Sequence, residues 1–297
     1  MKTRTKALAM LVTSMLIFGS IGLFVRYISL PSSVIAFVRA LIGLAFLLCV
    51  IVIKKTQLSW AAIQKNLLIL IFSGAAIGFN WILLFESYRY TSVAVSTLCY
   101  YMAPVIITFL APFILKEKVS VTRILCTLIA LIGVALISGI LNGTPMASGE
   151  IKGILFGLGA ATLYASAILL NKHLRCIEAM DRTICQMAVA AIVLIPYNFV
   201  TCELGAIALK PITLFLLLII GIIHTGLAYY LYFGSMEDLS GQTIAITSYV
   251  DPVVAVIISA LLLREPFDIF TVLGAIAILG AAVISELPHK EDVTHDN

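Results

Sequence analysis

Apolar residues in this chain come in long, nearly unbroken blocks, separated by short clusters of charged residues, glycine and proline. A helix needs about 20 mostly apolar residues to cross a bilayer. Ten runs meet that length: 7–27, 32–53, 66–88, 92–115, 121–141, 153–173, 183–201, 212–236, 242–263 and 267–285, numbered here as spans 1 to 10. Helices are the expected form, because lipid cannot satisfy an open backbone. The runs also lack the alternation of a membrane barrel. The pattern predicts an all-α integral membrane protein of ten transmembrane helices. Its connections are too short to hold a soluble catalytic domain.

The blocks repeat. "YMAPVIITFLAPFILKEK" from Tyr101 is echoed by "YVDPVVAVIISALLLREP" from Tyr249, an offset of 148 residues. Identities at that offset include Gly78/Gly226, Phe85/Phe233, Ser87/Ser235, Ser92/Ser240, Tyr101/Tyr249, Pro104/Pro252 and Glu117/Glu265. Shared leucines would mean little between two apolar helices, whereas a shared Tyr-x-x-Pro with Glu thirteen residues after each Pro is harder to reach by chance. More faintly, "FGSIGLFVR" at 18–26 meets "YASAILLNK" at 164–172, with basic Arg26 opposite Lys172. Each half therefore holds five spans, over 7–141 and 153–285. Five is odd, so the second half enters the membrane from the opposite side. The expectation is two inverted-topology five-helix repeats, an arrangement used by many secondary transporters, with a substrate site near mid-membrane between the repeats.

Composition agrees with a membrane protein. Of 297 residues, 62% are hydrophobic and 11% charged, against roughly 25% charged in soluble domains. The formal charge of +4 is spread out, and no basic tract suggests nucleic acid. With the N-terminus in the cytoplasm, the inner segments carry thirteen Lys and Arg and the outer segments five, with Arg39 inside a span. That bias places both termini in the cytoplasm and the protein in the cytoplasmic membrane. The basic start and apolar run at the N-terminus look like a signal peptide but lack an A-x-A site, so they are read as span 1. The six cysteines form no CxxC pair and read as small buried hydrophobes. Nothing calls for a cofactor or metal.

These features resemble the drug/metabolite transporter superfamily, and within it the ten-helix EamA family. The resemblance is carried by "FGSIGLFVR" in span 1, Arg39 in span 2, "SVAVSTLCYYMAPVIITFLAPFILKEK" from span 4, and "GQTIAITSYVDPVVAVIISALLLREP" from span 9. It covers nearly the whole chain. It implies a basket-like cavity between the repeats, lined by spans 1, 3, 4, 6, 8 and 9, and export of small metabolites, often amino acids.

Asp251 is the first candidate site residue. An acid at bilayer depth costs about 2.5–3.5 kcal/mol on insertion scales, so it should face protein or a wet cavity. There it either carries a proton, anchors a substrate amine, or bonds a neighbouring helix. Its counterpart in the first half is Ala103, so the repeat does not require it. Pro104 and Pro252 lack an N–H and should free the carbonyls of Tyr100 and Ser248, which makes them candidate hinges or packing kinks. Arg39, eight residues into span 2, either pairs with an acid, receives a substrate carboxylate, or snorkels outward. His224 in span 8 is a candidate substrate ligand or a hydrogen-bonded core histidine. Asn80, Trp81, Tyr100, Tyr101, Tyr164 and Tyr249, with Tyr229 and Tyr230, lie at or near mid-depth, away from the interfaces where belt aromatics belong. They suit a cavity wall for amphipathic solutes. Gly74-x-x-x-Gly78 and Gly153-x-x-x-Gly157 suit close helix approach. The charged ends Lys116-Glu117-Lys118 and Arg264-Glu265 read as interfacial pairs with the next helix or as gates.

The sequence thus points to a secondary transporter with a small-molecule substrate and a lipid surround, with protons as a candidate coupling ion, and working as a monomer or homodimer. A facilitated exchanger without proton coupling stays open. An intramembrane enzyme lacks support, because no HExxH, GxSxG or ATP-binding loop is present.

Overall fold

The computed structural model describes residues 2–115, 121–137, 148–202, 210–236, 238–239, 241–265 and 268–286. These residues are almost entirely helical, and none of them forms a strand. Spans 1, 2 and 3 are the helices Lys2–Arg26, Ser32–Lys54 and Leu67–Tyr90, with a short helix Trp60–Lys65 before span 3. Span 4 is broken into Val93–Tyr100 and Ala103–Leu115, and span 5 is Val121–Ile137. Spans 6 and 7 are Ser148–Asn171 and Ala179–Thr201. Span 8 runs from Pro211 to Met236 with a wide π-type turn at Ile222–Leu227. Span 9 is broken into Gly241–Ser248 and Val250–Leu261, and span 10 is Ile269–Glu286.

Six of these helices are individually long and apolar enough to cross a membrane: spans 1, 2, 3, 6, 7 and 8. Spans 4, 5, 9 and 10 appear as shorter apolar helices. Spans 4 and 9 are each interrupted at the repeat-related tyrosine, Tyr101 or Tyr249. The ends of spans 5 and 10, and the Lys116-Glu117-Lys118 cluster, reach into residues outside the described ones. The outer surface is apolar, with Val52, Phe72, Leu128, Phe199 and Phe215 largely exposed. In water such a surface would drive association, whereas in a bilayer it faces chemically similar tails.

The packing follows a pseudo-twofold that exchanges the halves. Span 1 packs on spans 8 and 9, and span 6 packs on spans 3 and 4. Span 3 meets span 7 as span 8 meets span 2. Span 2 meets its own mate, span 7, and span 5 meets span 10. The two halves are therefore interleaved: the first helix of each is enclosed by the other half. This is the all-α, ten-helix architecture of two inverted repeats expected from the sequence.

The small-residue motifs sit where these helices come closest. A Cβ at Gly74 would stand 2.8 Å from Val189 Cβ and 2.9 Å from the Gln186 carbonyl, so span 3 reaches span 7 only because residue 74 has no side chain. Gly157 does the same between span 6 and Cys99 of span 4.

Candidate functional site

The breaks in spans 4 and 9 create the central cavity. Ser92 caps the first half of span 4 by accepting from Val95 N at 3.0 Å, and the helix ends at Tyr100. Pro104 is then the second residue of the next helix, and Pro252 the third residue of its helix in span 9. A first-turn proline sacrifices no helical bond of its own segment, so the prolines open the second halves of spans already broken. The Ser248 carbonyl, expected to be freed by Pro252, accepts the Tyr101 hydroxyl at 3.2 Å. Pro104 borders the cavity, whereas Pro252 is buried behind it.

The cavity has a volume of about 470 Å³, within the range of small-molecule sites. Of the residues singled out from the sequence, it gathers Arg39, Asn80, Trp81, Tyr100, Tyr101, Tyr164, Tyr249 and Asp251 on its wall. Tyr100 stacks near Tyr164 with ring centroids 5.4 Å apart, and Tyr101 near Tyr249 at 6.0 Å. The second pair joins equivalent residues of the two repeats across the pseudo-twofold. Asn80 donates to the Ala160 carbonyl at 2.6 Å and keeps a buried Oδ1 without a partner among the described residues.

Arg39 does not snorkel. It is 5% exposed, its Nε donates to Thr225 Oγ1 at 2.8 Å, and its guanidinium lies 4.3 Å from the Trp81 ring centroid. Stacking on indole compensates part of its lost hydration, and among the described residues no carboxylate pairs with it. Asp251 faces the same cavity beside the Tyr101 hydroxyl. Span 1 presses close to its backbone, since a Cβ on Gly19 would collide with the Asp251 carbonyl. Two opposite charges thus share one chamber without forming a salt bridge.

The structure does not bring His224 to the cavity. The ring is 2% exposed, sits in the wide turn of span 8, lies 3.1 Å from Ser20 Oγ and 3.4 Å from the Ile219 carbonyl, and packs on Phe24 at 4.7 Å. With both nitrogens engaged, it ties span 8 to span 1. Tyr229 lines the cavity, while Tyr230 turns away to lie 4.8 Å beneath Lys54.

One end of the helix bundle, beyond Tyr88, is cross-linked by charge. Arg26 at the end of span 1 donates to the Tyr88 carbonyl and, at 3.1 Å, to the Thr91 carbonyl, and it lies 3.5 Å from Glu265. Glu265 in turn accepts from Val93 N at 2.8 Å and from the Ser259 hydroxyl. The expected pairing of Glu265 with the next helix is corrected: its partners belong to spans 1, 4 and 9. The signal was present in the position of Val93, the first residue of a helix whose N–H groups lack helical acceptors. Glu117 lies outside the described residues.

At the other end, a contiguous vestibule of about 380 Å³ is lined by Asn171, Lys172, Arg182, Gln186, Tyr164, Tyr229 and Tyr232. Asn171 ends span 6, Arg182 lies in the first turn of span 7 and Met236 ends span 8, so this is the mouth. From the sequence, Lys172 and Arg182 counted only as markers of membrane side. The match of Lys172 to Arg26 in the repeat was the available hint that Lys172 stands at a chamber end.

A family model described as the EamA-like transporter family matches residues 5–139 and 151–286. The chain belongs to the EamA-like transporter family. A protein of Bacillus subtilis named uncharacterized transporter YxxF is 33% identical to this EamA-like chain over 288 residues, covering 96% of it and 90% of the relative. An uncharacterized transporter of Archaeoglobus fulgidus is 25% identical over 283 residues, covering 93% and 95%. A solved crystal structure superimposes with a TM-score of 0.64 at 14% identity, over 94% of this chain and 96% of the other, which speaks to the fold alone. The protein is therefore a multi-pass membrane transporter of a small molecule and not an enzyme.

Proposed function

We propose that this EamA-like protein is a secondary exporter of small metabolites such as amino acids, working by alternating access across the cytoplasmic membrane with both termini in the cytoplasm. The observation that carries the reading is the asymmetry of the chamber. Its Arg26–Glu265 end is cross-linked by charge, and its Asn171–Arg182 end has a mouth. Inverted repeats make the two ends structurally equivalent, so exchanging their conformations exchanges open and closed sides. The distribution of Lys and Arg favours a mouth on the cytoplasmic side, which suits loading of an exporter. Arg39 and Asp251, which line one chamber and form no salt bridge among the described residues, suit solutes that carry both a carboxylate and an amine. A half-buried acid beside a tyrosine hydroxyl also suits a proton step in each cycle.

The test is flux into inside-out vesicles over a panel of amino acids, nucleosides and organic cations, with and without a pH gradient. Saturable accumulation of an unmodified amino acid supports the reading. Movement of none of the panel in a folded preparation would overturn it. Accumulation indifferent to the pH gradient would replace antiport by facilitated exchange.

A further inference from the structure

We propose that the mouth is itself a binding site, a cationic vestibule that takes the carboxylate of an organic solute before that solute reaches the deeper chamber of Arg39 and Asp251. The inference rests on the exporter reading above and assigns a role to residues that reading does not use.

Among the described residues the vestibule offers hydrogen-bond donors and no acid. Arg182 lines a partly enclosed space together with Tyr164, Tyr232 and Asn171, and among the described residues no carboxylate pairs with it. Its neighbour Asp181 is committed elsewhere, accepting from Ser59 N at 3.0 Å. Asn171 spends its Oδ1 on Gln186 Nε2 at 2.7 Å, and that same nitrogen donates to Ser73 Oγ at 2.7 Å. The bond fixes which way the Asn171 amide faces and leaves its NH2 group to offer. The Thr183 hydroxyl is turned back to the Ala179 carbonyl at 2.8 Å. A planar guanidinium and an amide NH2 lining the same space suit the two oxygens of a carboxylate.

The surroundings define the rest of the ligand. Ile77, Trp81, Ile168 and Phe233 give an apolar flank, so the complement is an amphipathic anion rather than a bare inorganic one. Trp81, Tyr164 and Tyr229 line both the vestibule and the chamber. The two spaces are consecutive, and a solute moves between them without leaving the aromatic wall. A zwitterion held by its carboxylate at Arg182 would lead with its amine toward Asp251.

The experiment is calorimetric titration of the purified protein in uncharged detergent with N-acetylphenylalanine, which is anionic, and with its neutral amide. The native protein should bind the acid about tenfold more tightly than the amide, the scale of one charge-assisted hydrogen bond. Arg182→Gln should abolish that preference while leaving amide binding unchanged, and Arg182→Lys should keep part of it. Should Arg182→Gln unfold, Asn171→Asp decides the matter: it retains the acceptor for Gln186 and sets a negative charge in the vestibule, so acid binding should fall and amide binding persist. Equal affinity for acid and amide in the native protein, or a preference that survives in a folded Arg182→Gln or Asn171→Asp variant, would overturn the vestibule. The exporter reading fails separately, on the vesicle panel: preference without flux leaves the vestibule standing, and flux without preference removes it alone.

Discussion

The hydroxyl of Tyr101 donates to the carbonyl of Ser248 at 3.2 Å, so a tyrosine of the first repeat covers the backbone position that Pro252 deprives of a donor in the second. The break in span 9 is therefore closed from outside its own helix. Tyr101→Phe should destabilise the protein by about 1 kcal/mol, because it leaves a half-buried carbonyl without its donor. Pro252→Ala supplies a helical N–H to that carbonyl, so Tyr101→Phe should cost less in that background. Thermal unfolding of the four proteins in detergent closes the cycle, and equal costs in both backgrounds would refute the coupling.

Asp251→Asn preserves shape at the wall and removes the charge. Under the exporter reading, flux of a zwitterionic substrate should fall about tenfold or more, as for loss of a charge-assisted bond, and any stimulation by a pH gradient should vanish. Vesicle flux at several pH values reads both effects. Unaltered flux with unaltered pH dependence would remove Asp251 from the transport cycle.

Glu265→Gln keeps an acceptor for Val93 N but loses the charge facing Arg26. Arg26 is 38% exposed at its side chain, so the ion pair is screened and its loss is worth about 0.5–1 kcal/mol. The closed end should then open about two- to fivefold more often. A cysteine at Thr97, which lines the chamber, reports this as faster labelling by an impermeant thiol reagent from outside. The exposed Cys49 and Cys176 are first replaced by serine. Unchanged labelling would mean that the node only packs.

Two glycines should respond in opposite directions. Gly74→Ala forces a Cβ to within 2.8 Å of Val189 Cβ, so spans 3 and 7 must separate, at a cost of about 1–3 kcal/mol. A Cβ at Gly280 in span 10 would have nothing within 4 Å, so Gly280→Ala should stabilise by up to about 1 kcal/mol through helix propensity. Unfolding midpoints that shift the same way for both would contradict the packing described.

The architecture was legible because lipid imposes length and apolarity on every span, and because Tyr-x-x-Pro marked the duplication twice. Most of the chamber wall was legible for a related reason: tyrosines, Asn80 and two charges at mid-depth have nowhere else to go. What the sequence concealed was direction around the helix axis. His224 and Arg39 are both polar groups deep in a span, yet one is consumed by Ser20 and the Ile219 carbonyl while the other faces the chamber. Arg182 and Lys172 were hidden differently, since a cation at a span end is ordinarily a marker of membrane side. Glu265 was assigned the wrong neighbours because its partners, Arg26 and Val93, are distant in sequence and meet only through the interleaving of the halves.

The wide turn at Ile222–Leu227 lets one helix serve two surfaces. Each residue advances an α-helix by about 100°, and a wide turn accommodates extra chain without breaking the rod. Before it and within it, span 8 is phased to set Thr225 against Arg39 and against its own Ile220 carbonyl at 2.9 Å. Beyond it, Tyr229 and Tyr232 face the chamber and Phe18 of span 1. The turn works like a gear offset on a common shaft: winding the same residues at an even α-helical pitch would swing the aromatic wall about a quarter-turn out of register with the arginine it accompanies.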